Sequence, residues 1–188
     1  MTDTSNLFFE LIQIALGVRT CLSRQPSDGE WGELYKIAKK QSLVGVCFAA
    51  VQKLVDSEKE DYCGMSEMQY LTWMGMAAKI QQRNEVVNRQ CVELQAKLSA
   101  DGFRSCILKG QGVGQLYAEH LHGLRQSGDI DLWVDAPMER TVEYVMGIAP
   151  TREVNFQHVH FNVLEDTEVE LHMVPVSRYN PRKNRILG

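Results

Sequence analysis

The chain lacks any long hydrophobic run: within its 188 residues no apolar stretch reaches the roughly 18 residues that a membrane-spanning helix needs. It has no basic segment ahead of its first apolar residues. Asp3 and Glu10 stand around them instead, which argues against a secretory signal. Cys-x-x-Cys pairs are absent too. The five cysteines, at 21, 47, 63, 91 and 106, are odd in number, widely spaced and mostly in apolar contexts. They are expected to be reduced, buried small side chains in a cytoplasmic protein, not a disulfide framework. Positive charge is in deficit: 20 Lys and Arg face 24 Asp and Glu, for a net charge of −4. With a pI near 5.7 this argues against a general nucleic-acid coat, which needs a positive surface, and leaves room only for a local basic site. What is present, 44% apolar and 23% charged residues, is the balance of a soluble globular chain of one large or two small domains.

Helical periodicity dominates the first hundred residues. Leu7, Phe8, Leu11, Ile14, Ala15, Val18 and Leu22 recur at three- and four-residue steps and predict an amphipathic helix. Gln25-Pro26-Ser27-Asp28-Gly29 breaks it. Ser27 followed by Glu30 makes a capping box for a second helix, with Trp31, Leu34, Ile37 and Ala38 inward. A third is predicted from about Leu43 to Val55, burying Val44, Cys47, Phe48, Val51, Leu54 and Val55, with 56–63 as a charged loop. Ser66 to Ser99 then carries no proline and a lone glycine, Gly75. Its expected stripe is Met68, Leu71, Met74, Ala78, Val87, Cys91, Leu94 and Leu98, and a continuous helix there spans about 50 Å. Its methionines and Trp73 are expected to pack in a core and not to line a ligand groove.

Asp101-Gly102 ends that helix, and the pattern changes to mixed α/β. Strands are predicted at Phe103 to Leu108, Asp129 to Val134, Phe156 to Leu164 and Val169 to Val174. Helices are predicted at Gln111 to about Leu121 and at Pro137 to about Ile148, proline being tolerated at a helix N-terminus. Residues 165–168 read as a turn. The tail from Pro175 is basic and stops without a closing element, as expected of a chain cut before a C-terminal part. The expected organisation is a helical region over 1–100, a catalytic core over 101–176 and a tail over 177–188.

The most informative stretch is Gly128-Asp129-Ile130-Asp131-Leu132-Trp133-Val134. Alternate strand residues share a face, so Asp129 and Asp131 project together while Ile130, Leu132 and Val134 point to the core. Two like charges side by side in a strand are unfavourable unless a cation joins them, and a divalent metal does so economically. Gly128 leaves room for a ligand near the backbone. In Val169-Glu170-Leu171-His172-Met173 the pattern repeats, with Glu170 and His172 on one face. Three carboxylates on adjacent strands are what two-metal phosphoryl transfer uses, the third holding the ion that activates the attacking hydroxyl or acting as its base.

His158, His160 and His172 offer a rival reading as a zinc site, which loosely spaced ligands make the weaker one. A two-residue hairpin loop puts His160 on the wrong face for His172, and a three-residue loop on the right one. A structural role for His158 and substrate contact by His160 and His172 are the expected alternatives.

Leu108-Lys109-Gly110, a helix with Leu116-Tyr117, then Arg125-x-x-Gly128-Asp129-Ile130-Asp131-Leu132-x-Val134 and Glu170-Leu171-His172 together resemble the bacterial uncharacterised nucleotidyltransferase family, within the polymerase-β-like superfamily. Trp31-x-x-Leu34-x-x-x-Ala38 and Leu43-Val44 look like its helical N-terminal region. The resemblance implies an α+β fold, a helical N-terminal region packed on a mixed β-sheet flanked by helices. It implies dependence on Mg²⁺ or Mn²⁺ and transfer of a nucleoside monophosphate from a triphosphate such as ATP. Asp129, Asp131 and Glu170 are then the catalytic and metal-binding residues. Lys109, Gly110, Gly112, Arg125 and Gly128 are the candidates for nucleotide or phosphate contact. Lys109-Gly110-Gln111-Gly112 departs from the Gly-Gly or Gly-Ser that usually ends the superfamily's first strand, and Lys109 supplies a charge where a serine hydroxyl would otherwise stand.

Two other readings stay open, a catalytically silent nucleotide-binding module and a metal-dependent phosphohydrolase. The acceptor, whether small molecule, RNA or protein, is not legible. Arg178, Arg182, Lys183 and Arg185 favour a nucleic-acid acceptor only as part of a basic surface, and such tails are more often simply solvated.

Overall fold

The structure is a computed structural model that describes residues 3–58 and 64–175. The described residues form six α-helices and a four-stranded mixed sheet: α1 (Asp3–Ala15), α2 (Asp28–Lys40), α3 (Val44–Glu58), α4 (Glu67–Ala100), β1 (Ser105–Ile107), α5 (Gln111–Gly114), β2 (Ile130–Val134), α6 (Met138–Ile148), β3 (His158–His160) and β4 (Val169–His172). They divide into two compact units. One holds the described residues up to Glu85 together with Leu116–Gln126; the other holds Val86–Gln115 and the described residues from Ser127 onward. The expected tail over 177–188 lies outside the described residues, as does Cys63.

The first unit is a helical bundle. α1 buries Leu7, Phe8, Leu11, Ile14 and Ala15, as its periodicity predicts, but stops seven residues before Leu22. Beyond Ala15 the amides of Gly17, Val18 and Arg19 fold back onto the carbonyls of Ile14 and Gln13, closing the helix end at Gly17 (φ 75°), and Val18 is exposed. The capping box forms as expected: Ser27 accepts from the Glu30 amide, and Glu30 accepts from the Ser27 amide. Hydrogen bonds from Arg24, then from Ser27, pull the Glu30 carboxyl down to about 2. Trp31, Leu34 and Ala38 are fully buried, while Ile37 is only partly so. Trp31 and Tyr35 both meet Trp73 edge-on, with ring centroids 6.5 and 5.2 Å away.

α4 is continuous over 34 residues. Its buried positions are Trp73, Ala77, Ile80, Asn84, Val87, Cys91, Leu94 and Leu98, alternating four- and three-residue steps. The C-terminal half of the predicted stripe is therefore right, and the N-terminal half is out of phase. Met68, Leu71 and Met74 are exposed, because Trp73 takes the core-facing position, with Met76 partly buried against that core. The polar member, Asn84, is satisfied: its amide donates to the carbonyls of Ile80, Gly123 and Arg125 at 2.9, 2.7 and 2.7 Å. Within the first unit this ties residues 116–126 to α4. The predicted helix over 111–121 is reduced to α5 and a 3-10 turn at Glu119–Leu121, since Leu116 is 83% exposed and gives a longer helix nothing to bury.

The second unit is built on the sheet, in the order β1-β2-β4-β3. β2 pairs antiparallel with β1 and parallel with β4, and β4 pairs antiparallel with β3. Ile130, Leu132, Val134, Val159, Val169 and Leu171 make one apolar face. It is covered by Val87, Cys91, Leu94 and Leu98 of α4 and by Val145 of α6. The strands are shorter than predicted at β3, where the chain leaves the ladder after His160. Of the described cysteines Cys47 and Cys91 are buried, their thiols pushed up to about 12 and about 11 by burial, but Cys21 and Cys106 are exposed and correct the expectation of burial.

Candidate functional site

The other face of the sheet is polar, and pairing register decides what meets on it. Asp131 on β2 sits opposite Glu170 on β4, and Glu170 opposite His160 on β3. One step along, Trp133, His172 and His158 form the next row. Neither tight hairpin anticipated for β3 and β4 occurs. Residues 161–168 join them, and the register places both His158 and His160 on the face of Glu170 and His172.

Asp129, Asp131 and Glu170 converge, with carboxylate oxygens within 4.8 Å of one another. Asp129 is exposed at the entry to β2, Glu170 is half-buried and Asp131 is buried. The Asp131 backbone is pinned by the Leu108 amide, which donates to its carbonyl at 2.9 Å. Its Oδ1 accepts from Lys109 Nζ and from His172 Nε2, both at 2.8 Å. Burial opposes ionisation of Asp131, but the hydrogen bonds from His172 and Lys109 and their charge outweigh it, so its carboxyl is held below the ordinary range. The hydrogen bond to Asp131 in turn raises Lys109 above the usual lysine value. Lys109 remains 62% exposed.

The donor set suits a hard divalent cation, which takes several carboxylate oxygens in a flexible arrangement. Three negative groups converge, and the lysine that balances them is largely exposed. Asp129, Asp131 and Glu170 are thus an acidic group able to bind metal.

Glu170 is oriented by a chain of contacts that sequence reasoning missed at Asn155. Asn155 Oδ1 accepts from the amides of Gln157 and His158 at 2.8 and 3.0 Å, so its Nδ2 faces His158 Nε2 at 3.0 Å as a donor. In the neutral His158 ring the proton therefore sits on Nδ1, 3.4 Å from Glu170 Oε2. His172 Nε2 lies 3.2 Å from the same oxygen. An asparagine two residues before the next amide it caps is a local turn signal, and that was the sequence clue available.

The glycines shape the end of β1. Gly110 has φ 51° and ψ −108° and caps α5. A side chain at Gly112 would place its Cβ 2.7 Å from the Ile107 carbonyl oxygen, so glycine here lets α5 lie against β1. The Gly112 amide is spent on the Lys109 carbonyl at 2.9 Å. Gln111 donates to Asn88 at 2.7 Å and accepts from Ser127 at 3.2 Å, tethering the chain just ahead of Gly128. Gly128 has open space where a Cβ would stand. Arg125 belongs to the first unit, where its carbonyl is held by Asn84.

A mixed sheet with helices on its apolar face, carrying an Asp-x-Asp strand beside a Glu strand, defines an α+β fold of the nucleotidyltransferase type. The chain belongs to a family described as uncharacterised nucleotidyltransferase, whose model matches residues 27–187. Membership implies a transferase with a nucleoside triphosphate as substrate. No curated protein and no solved structure matches the chain. Among the described residues no helix is long and apolar enough to cross a membrane.

Proposed function

We propose that the protein is a Mg²⁺- or Mn²⁺-dependent cytoplasmic nucleotidyltransferase that moves a nucleoside monophosphate from a triphosphate to a hydroxyl acceptor, with 101–176 as its catalytic core. The observation that carries this is the convergence of Asp129, Asp131 and Glu170 from neighbouring β-segments. These three residues are the ones to hold the metal, which when bound neutralises the triphosphate and the departing pyrophosphate. Lys109 exchanges Asp131 for phosphate oxygens as the nucleotide arrives. Gly110 and Gly128 leave the backbone accessible to the phosphates. Glu170 favours the deprotonated acceptor by taking its hydroxyl proton. The acceptor oxygen then bonds to the α-phosphorus in line as the bond to the bridging oxygen of pyrophosphate breaks. His160 and His172, at the edge of this group, contact substrate. The test is incubation with nucleotides labelled in the α-phosphate, Mg²⁺ and cell lysate. A labelled acceptor supports the reading, and release of phosphate or pyrophosphate with no acceptor labelled points to a phosphohydrolase.

One observation favours a second reading. Lys109 bonds to Asp131 at 2.8 Å, which neutralises that carboxylate without metal. A catalytically silent relative that binds nucleotide through Lys109 alone fits this contact, and its nucleotide binding is independent of Mg²⁺.

A further inference from the structure

We propose that Glu153, His160 and Glu168 form a separate metal position that takes a divalent first-row transition cation such as Mn²⁺, Co²⁺ or Zn²⁺. One ligand atom from each lies within 4.8 Å of the others. Their backbones are fixed by the sheet: the His160 amide donates to the Glu153 carbonyl at 3.0 Å, and the Ile130 amide to the Glu168 carbonyl at 2.9 Å. Of the trio only His160 lies within a strand; Glu153 and Glu168 stand just outside the ladder, held there by these backbone bonds, with their side chains largely exposed.

The telling atom is His160 Nδ1. It is shut off from solvent and makes no hydrogen bond. Yet carboxylate oxygens of Glu153 and Glu168 stand 3.0 and 2.9 Å from it. The distances suit a hydrogen bond and the directions do not. Both oxygens lie well off the axis along which a ring N–H would point. That is where neighbouring ligands of a shared metal lie, since bonds of about 2.1 Å at right angles put cis ligand atoms about 3.0 Å apart. Charge points the same way. Among the described residues neither Glu153 nor Glu168 pairs with a lysine or arginine, so two carboxylates face one imidazole edge with no other cation. A nitrogen in the set disfavours Mg²⁺ and Ca²⁺, which prefer oxygen throughout, and suits Mn²⁺, Co²⁺ or Zn²⁺.

Occupancy has a consequence for the neighbouring site. Metal on Nδ1 leaves the ring proton on Nε2, which lies 3.6 Å from Glu170 Oε1. The ion would thus fix His160 as a donor toward the third carboxylate. This position stands whether or not the chain transfers nucleotides.

The test is Zn²⁺ calorimetry on the full chain, with Co²⁺ absorption as a second probe. In the Asp129→Asn/Asp131→Asn chain one tight Zn²⁺ should remain; in Glu153→Gln/Glu168→Gln its affinity should fall by about 100-fold or more. Loss of all tight Zn²⁺ in the aspartate variant, or undiminished affinity in the glutamate variant, overturns the proposal. A readout on the unmodified chain covers a variant that fails to fold: Zn²⁺ should move the imidazole ¹⁵N resonance of His160 Nδ1. Shifts confined to His158 and His172 would contradict it. Metal-independent nucleotide binding would sink the transferase reading and leave every one of these readouts untouched.

Discussion

The two faces of the four-stranded sheet obey opposite rules. On one, Ile130, Leu132, Val134, Val159, Val169 and Leu171 are no more than 1% exposed and pack on α4 and α6. On the other, the same strands present Asp131, Glu170, His158, His160 and His172, a crowd of titratable groups that no folding argument requires. Burying apolar area stabilises the first face at roughly 25 cal/mol per Å². Like charges on the second oppose folding unless cations join them. The lesson is a division of labour within single strands: alternate residues either hold the register or carry the chemistry.

Breaking the polar face should have the largest effect on activity and little on the fold. Asp131→Asn is expected to lower nucleotidyl transfer by at least about 1000-fold, measured with α-labelled nucleotide, while circular dichroism stays unchanged. Lys109, being largely exposed, simply returns to solvent. Breaking the apolar face should do the reverse. Leu132→Ala removes a fully buried side chain from the middle of β2 and should cost about 2–5 kcal/mol of stability in denaturant unfolding. Metal affinity of the folded fraction should be unchanged.

Asn155→Ala sharpens the comparison, since it touches neither core nor metal group. Releasing the His158 ring from its fixed orientation toward Glu170 should cost about 10-fold in metal affinity by calorimetry. In the first unit Ser27→Ala removes the helix cap and should lower stability by about 1 kcal/mol with no change in metal affinity.

The smallest effect is on acid stability. Asp131 is held below its ordinary value of 3.8, so its contribution is fully present above that value. It is lost as pH falls through the depressed one. Denaturation midpoints measured from about pH 5 to pH 2 should fall less steeply in Asp131→Asn than in the parent chain.

Much of this was legible in the sequence for a physical reason. Period-two alternation at 129–134 and 169–173 announces both faces, because strand geometry leaves no other choice. The Ser27–Glu30 capping box is equally local, and it forms. What was not legible depends on partners distant in the chain. Whether His160 meets Glu170 is set by register across 161–168, not by any turn type. The exposure of Met68, Leu71 and Met74 follows from Trp73 claiming the core, a competition between phases that apolar periodicity alone does not resolve. The early end of α1, closed at Gly17, and the truncation of α5 beside the exposed Leu116 are likewise not signalled by apolar periodicity. The Lys109 contact to Asp131 joins two strand ends that only the folded sheet brings together.

The most direct measurement is calorimetry of ATP, GTP, CTP and UTP binding to the unmodified chain, with and without Mg²⁺. If Asp129, Asp131 and Glu170 grip a cation that bridges the triphosphate, at least one nucleotide binds with Mg²⁺ and none binds appreciably without it. Equal affinity in the presence of a chelator would contradict that, and would leave Lys109 as the anchor of a silent nucleotide-binding module.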